Sequence, residues 1–324
     1  MSTANIDMQS NKGALWAIWN YLRDNIAVLA LIIVVIFFSI TAGTKFLSFQ
    51  NLANIGRQAS VITIMACGMT MIIVSANIDL SVAATLSFAA MLNAIVTQAT
   101  GSTLLGLVVG LAAGLAVGLV NGILVTKGKI PSFLATLGLM GVVRGAAMMV
   151  TGTKPVVIYV ESFWRSFGDG ELFGVLPMPI FWTIVVLIIT HIIMRYTALG
   201  RYIYATGGNQ EASRFTGVKT DKTIITAFII MGVLAAFSGI ILASRMHAAR
   251  PGTGEGMELN VIAAVILGGT SLFGGKGTII GSLVGALVIG ALNNGLIILG
   301  FSTHVQMLVR GLVIILAVLF ARED

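Results

Sequence analysis

The chain has 324 residues, of which 57% are hydrophobic and only 10% charged, with a mean hydropathy of +1.00. A water-soluble domain carries about 25% charged residues, so polar groups cannot cover this surface in water. The sequence therefore reads as an all-α integral membrane protein, because its apolar runs are continuous rather than alternating as in a β-barrel. The net charge of +7 fits basic loops that orient membrane helices, and no nucleic-acid partner is inferred.

Residues 1–25 are polar and are assigned to a cytoplasmic N-terminal segment. About ten apolar spans follow, near 26–43, 59–76, 82–99, 104–126, 131–150, 179–195, 223–244, 259–273, 278–299 and 304–320. The first is longer than a signal-peptide core, has no clear small-residue cleavage site after it, and is read as retained. Residues 26–320 then form one transmembrane domain, and 321–324 a cytoplasmic C-terminus. With both ends inside, eleven of the 19 Lys and Arg face the cytoplasm, six face outward and two lie within spans. This bias supports an N-in, C-in topology.

After the second span comes "NIDLSVAA" at 77–84. Asp79 either caps the following helix or belongs to a polar patch on a transport path, with Asn77 and Ser81 satisfying backbone freed by a helix break. The fourth span carries Gly106, Gly110, Gly114, Gly118 and Gly122, a ladder expected to lie on one helix face and to let another helix approach closely. Arg144 and Arg310 lie within spans and are expected to snorkel or to face the bundle interior. The 151–178 segment becomes an outer loop, folded as a cap or free to dock a partner.

The one long inside loop is 196–222, containing "ATGGNQEASRFTG". Asn209 is a suitable N-cap, Gln210–Thr216 a short helix, and Gly217 its left-handed terminator. Glu211 near the start and Arg214 near the end suit the helix dipole, and Ala212 and Phe215 make a small apolar face. About seven residues cannot hold a helix alone in water, so it must pack on a partner. The membrane surface is one candidate, but the face is too narrow for a strong anchor, and a groove on a cytoplasmic protein fits better.

Further on, "GMELNVIAA" at 256–264 echoes the 77–84 motif, giving Glu258 and Asn260 the same two readings as Asp79 and Ser81. "GALNNGLI" at 290–297 echoes "GLVNGIL" at 118–124. Asn121, Asn293 and Asn294 are read as interhelical hydrogen-bonding groups or as path lining. The two echoes keep one order, so five spans map onto five. An odd number inverts the second copy, as in alternating-access transporters.

"TSLFGGKG" at 270–277 lacks the spacing and the Ser or Thr of a phosphate loop and is a glycine turn. The three His residues are scattered, Cys67 is single, and no nucleophile–base motif occurs. The chain therefore carries no metal site, no bound cofactor and no catalytic machinery of its own.

The 200–222 segment "GRYIYATGGNQEASRFTGVKTDK" resembles the coupling loop of monosaccharide ABC-importer permeases of the ribose, xylose and arabinose type. "NIDLSV", "IPSFLATLG" with "RG" at 144–145, "IAAVILGGTSLFGGKGTIIG", "NNGL" and "VRGLVIILAVLF" stand in the family order. Ala83 departs from the usual glycine. The resemblance implies a bacterial inner-membrane subunit in a homodimer, served by a cytoplasmic ABC ATPase holding ATP-Mg and by a periplasmic sugar-binding protein. It also implies that Asn209, Gln210, Glu211, Ala212, Arg214, Phe215 and Gly217 couple the ATPase to monosaccharide translocation. The residues alone leave two alternatives, an ion-coupled secondary transporter of a small polar solute and a non-transport membrane scaffold or receptor.

Overall fold

The structure, a computed structural model, describes residues 26–320; the expected segments 1–25 and 321–324, and the side chain of Arg310, lie outside what it describes. Fourteen helices run in chain order among the described residues: α1 Ile26–Thr41, α2 Thr44–Leu47, α3 Phe49–Val74, α4 Val82–Thr100, α5 Thr103–Thr126, α6 Ser132–Thr151, α7 Glu161–Phe167, α8 Met178–Tyr196, α9 Ala198–Gly208, α10 Gln210–Phe215, α11 Thr220–Met246, α12 Met257–Leu267, α13 Ile279–Ile298 and α14 Thr303–Phe320. Four two-residue strands, β1 Val156–Val157, β2 Glu171–Leu172, β3 Leu176–Pro177 and β4 Ala248–Ala249, form the antiparallel pairs β1–β4 and β2–β3. Side-chain oxygens fix several starts: Ser48, Ser102 and Thr278 accept the N–H of Asn51, Leu105 and Gly281, covering donors that have no partner within the helix.

Seven of these helices, α3, α4, α5, α6, α8, α11 and α13, are long and apolar enough to cross a membrane. The protein is thus an all-α membrane protein, with several expected boundaries corrected. The 59–76 span begins at Phe49, because Ser48 caps a polar first turn that composition alone assigns to a loop. The 259–273 span contracts to α12, which stops where Gly268 caps it and Gly269 turns to φ +83°. Eleven residues of helix reach about 16 Å, roughly half the ~30 Å hydrocarbon core.

α3 is the central post, buried without interruption from Ala59 to Val74. Around it pack α8, α11, α12 and α13. α11 packs against α5 and α4, α4 also against α5 and α6, while α12 lies against α13 and α14 and α1 against α13.

All five ladder glycines of α5 are buried, but they do not share one partner. A Cβ on Gly106 would collide with Thr97, and one on Gly110 would meet the Ala89 carbonyl oxygen of α4 at 3.1 Å and the Ile240 side chain of α11 at 3.0 Å. At Gly114, Gly118 and Gly122 the obstruction is α11 alone, at Gly232, Phe228 and Ile225. The cause is helical geometry. Four residues advance about 400°, so the ladder drifts about 40° per rung and turns from α4 to α11 along its length.

Residues 151–178 fold as a cap on one end of the helix bundle. Phe163 and Phe167 are buried, Trp164 stacks on His247, and the indole N–H groups of Trp164 and Trp182 donate to the carbonyls of Ile158 and Ser166. Ser244 of α11 donates to the Phe163 carbonyl, so the cap is fastened to the end of that helix.

Candidate functional site: a short capped helix joined to a helix break

α10 has the termini its sequence requires. The Asn209 side chain accepts the N–H of Ala212 at 2.9 Å. At the other end Gly217 has φ +89°, the Val218 N–H reaches the Ser213 carbonyl and the Gly217 N–H reaches that of Arg214. This double bond pattern ends a helix in a left-handed glycine. The helix is one residue shorter than expected, because Thr216 serves as its C-cap.

Gln210, Glu211, Ala212 and Phe215 are exposed, and Phe215 is 85% exposed. A partly apolar face is therefore left open on a helix too short to stand alone. Arg214 is committed within the chain. Its Nε donates to the Thr220 hydroxyl and its terminal nitrogen to the Asp221 carboxylate, both at 2.8 Å. Asp221 also binds Lys127 at 3.2 Å, so α10 is tied to the first turn of α11 and the end of α5.

The expected loop before Asn209 is in fact helix α9, whose start Thr197 caps by accepting the Gly200 N–H. α9 ends against the membrane body. A Cβ on Gly207 would fall on the Val74 carbonyl oxygen, at the end of α3. That oxygen also accepts the Gly275 N–H at 2.9 Å, and the Tyr204 hydroxyl donates to the Gly277 carbonyl at 2.6 Å. Thus α9, the end of α3 and the 270–277 glycine turn converge at one point.

Directly beyond Val74 lies the break between α3 and α4. Ala76 adopts φ +59°, a left-handed conformation costing a non-glycine residue roughly 1–2 kcal/mol. Ser75, Asn77, Asp79 and Ser81 of the break are buried while Ala76 is exposed, and neighbours satisfy much of its backbone. The N–H groups of Ile78 and Leu80 donate to Ser132 and Thr136 of α6, each at 3.1 Å. Asn77 donates to the Ser75 carbonyl. Asp79 is 2% exposed and accepts both the N–H and the hydroxyl of Ser81, while Asn121 of α5 donates to that hydroxyl at 2.8 Å. Asp79 is therefore not the cap of α4; it fixes Ser81, which occupies the N-cap position. A cleft of about 1010 Å³ opens beside the break, lined by Ser75, Asn77, Ser132, Thr206, Asn209 and Lys219 among others.

The remaining expected residues lie elsewhere. Glu258 is in the first turn of α12, and Glu258 Oε2 and Asn260 Oδ1 are buried without hydrogen-bond partners among the described residues. Asn294 accepts from Asn51 of α3 at 3.0 Å, an interhelical bond within the packed core. Asn293 is half-buried on α13. Sequence reasoning missed Asn51, Ser132, Thr136, Tyr204 and Gly207. Only the Gly207–Gly208 pair carried a visible signal, as a place where backbones meet.

The family described as "Branched-chain amino acid transport system / permease component" matches residues 51–318. The chain belongs to this family. The permease is 41% identical to the ribose import permease protein of Escherichia coli K12, over 92% of its own length and 94% of that protein's. It is 42% identical to the L-arabinose transport system permease protein of the same organism, covering 86% and 84% of the two chains. It is also 37% identical to a probable ABC transporter permease protein of E. coli K12, over 98% and 96%. No solved structure matches. The permease is accordingly a transport subunit of an ABC importer in the bacterial inner membrane, not an enzyme.

Proposed function

We propose that this permease carries a monosaccharide from periplasm to cytoplasm by alternating access, driven by an ABC ATPase seated on α10. One observation carries the reading: an exposed, capped helix with an open apolar face is joined through α9 and Gly207 to a helix break that holds buried Asn77, Asp79 and Ser81. An ion-coupled carrier needs no such helix. The sugar class rests on relatives named for ribose and arabinose import.

In this reading the subunit binds no cofactor, and ATP-Mg is held by the partner ATPase. A second copy of the permease completes the path, and a periplasmic sugar-binding protein delivers the solute. Residues 26–320 act as one domain, with 196–222 as its coupling segment. Asn209, Gln210, Glu211, Ala212, Phe215 and Gly217 form the docking element, and Arg214 anchors it. Asn77, Asp79, Ser81, Glu258, Asn260, Asn293 and Asn294 remain the candidates for helix breaks and path lining.

We further propose ten spans in a 5+5 inverted repeat, N-in and C-in. In the first half the Gly106 and Gly110 positions abut the Asn93 and Ala89 carbonyls; in the second, Gly281 and Gly285 abut those of Gly268 and Ala264. One offset of 175 residues relates all four pairs, and it also relates Val82 to Met257, where α4 and α12 begin. This register supports the repeat but moves it about one turn from the motif match: Asp79 precedes its helix, whereas Glu258 lies inside one. Ion pairs also respect the assigned sides. Lys127 and Arg214 meet Asp221 at the inner side, and Arg57 meets Glu171 at the outer.

Two experiments test this reading. In proteoliposomes containing the whole importer, Glu211→Lys should lower ATP-driven ribose or arabinose uptake at least tenfold while the permease stays folded; unchanged uptake rejects α10 as the docking element. A cysteine at Asn209 should react with an impermeant thiol reagent from the cytoplasmic side alone, and reaction from outside rejects the topology. Losing this cap costs about 1 kcal/mol, so the labelled protein should remain folded.

A further inference from the structure

The segment linking α11 to α12 goes deep into the membrane. It leaves the outer cap at β4, which pairs with β1. Ser87 of α4 then donates to the Arg250 carbonyl at 3.2 Å, and a Cβ on Gly254 would lie 3.1 Å from the Leu86 side chain. Leu86 lies in the first half of α4, far from its outer end at Thr100. Only there, after left-handed glycines at 252, 254 and 256, does α12 begin. Residues 250–256 are a re-entrant turn.

A charge pair sits on this turn. Arg144 of α6 binds Glu255 at 3.0 Å. Its neighbour Val143 clusters with Ala84 of α4 and Val117 of α5, and Val117 is well inside α5 from either end. The pair is therefore near the membrane middle. Yet the Glu255 side chain is 67% exposed and that of Arg144 27%. A charge facing lipid at that depth costs about 2.5–3.5 kcal/mol on insertion scales. Non-helical backbone survives there only when covered by protein or lining a water-filled cavity. Gly138, Gly141 and Gly145 of α6 have open space where their side chains would be, so nothing among the described residues fills the volume directly in front of them. Behind the turn, Glu258 Oε2 and Asn260 Oδ1 are acceptors without partners among the described residues.

We infer that the re-entrant turn Arg250–Gly256, clasped to α6 by Arg144 and Glu255, lines the water-filled solute path at the membrane midplane and hydrogen-bonds the hydroxyls of a passing polyol. Guanidinium donors beside carboxylate acceptors match a hydroxyl, which both donates and accepts. Because the two charges offset each other, the site suits a neutral solute. The polyol part rests on the monosaccharide reading above; the water-lined path does not.

The test uses the whole importer in proteoliposomes. Cys67 is fully buried and should stay silent. Thr253→Cys should react with a small, charged thiol reagent, whereas Ile188→Cys, on the exposed face of α8, should not. If Thr253→Cys is as inert as Ile188→Cys in both nucleotide-free and ATP-bound complexes, the path assignment is overturned. Glu255→Gln and Arg144→Gln should each slow ribose or arabinose import at least tenfold, and the charge-swapped double variant should not restore it. Wild-type import by Glu255→Gln, or full rescue by the swap, overturns the hydroxyl contact and reduces the pair to a clasp. If the unsubstituted complex imports neither sugar while Thr253→Cys still labels, the water path stands and the monosaccharide reading falls.

Discussion

Gly114→Leu is expected to prevent a stable protomer from forming. Gly114 and Gly232 meet backbone to backbone: a Cβ on either would fall on the carbonyl oxygen of the other. This is where α5 and α11 cross, and α11 also packs on the central α3. Ordinary overpacking of a core costs about 1–3 kcal/mol because side chains can shift. Here the obstacle is main chain, so the helices must separate along the lower ladder, which Gly118 and Gly122 continue. In a membrane, close van der Waals packing is much of what joins helices, and its loss has no solvent-driven compensation. Thermal unfolding and gel filtration in detergent should show aggregation or loss of the monodisperse species. Gly114→Ala, which adds only the Cβ, should survive with a lowered Tm. A Gly114→Leu protein as stable as the parent would mean that the crossing does not hold the fold together.

Local chemistry was the legible part of the sequence. Asn209 and Gly217 announce the two ends of α10 through side-chain capping and a positive φ, effects that operate within four residues. The glycine ladder announces close packing because spacing of four is a property of one helix. Its division between α4 and α11 was hidden, since the drift per rung matters only once the positions of both neighbours are known. α9 was read as loop because "ALGRYIYATGG" mixes polar residues with three glycines, and its helix is held by tertiary contact with α8, α11 and the glycine turn. α12 was drawn too long because hydropathy continues through Gly268 and Gly269, where the backbone turns. Pairings between distant segments had no local trace: Arg144 with Glu255, Ser132 with the N–H of Ile78, Gly207 with Val74. Asp79 lies between α3 and α4. Its role as the brace of Ser81 depends on Asn121, which approaches from another helix.

Gly207→Val should separate ATP hydrolysis from transport without displacing the ATPase. The exposed face of α10, where the ATPase is proposed to sit, is untouched by this change. What it alters is the link behind that face. The Val74 carbonyl oxygen occupies the space a side chain at 207 would need, and it already accepts the Gly275 N–H. Gly274 closes the same contact from the other side, against the Gly207 carbonyl and Ala76. A valine must therefore push α9 off the end of α3, disturbing the Gly275 bond and moving Tyr204 away from Gly277. Motion entering at α10 would then no longer reach the Ser75–Ser81 break, where Ala76 is held in a strained left-handed conformation. Sugar uptake is expected to fall by about 100-fold, a loss of roughly 2.7 kcal/mol of coupling, while the ATPase still copurifies and hydrolyses ATP at its basal rate. Gly208→Ala is the matched control, because open space surrounds its Cβ, and it should transport normally. Equal uptake by the two variants would remove the Gly207 junction from the coupling route and leave the Arg214–Asp221 tie as the connection between α10 and the membrane helices.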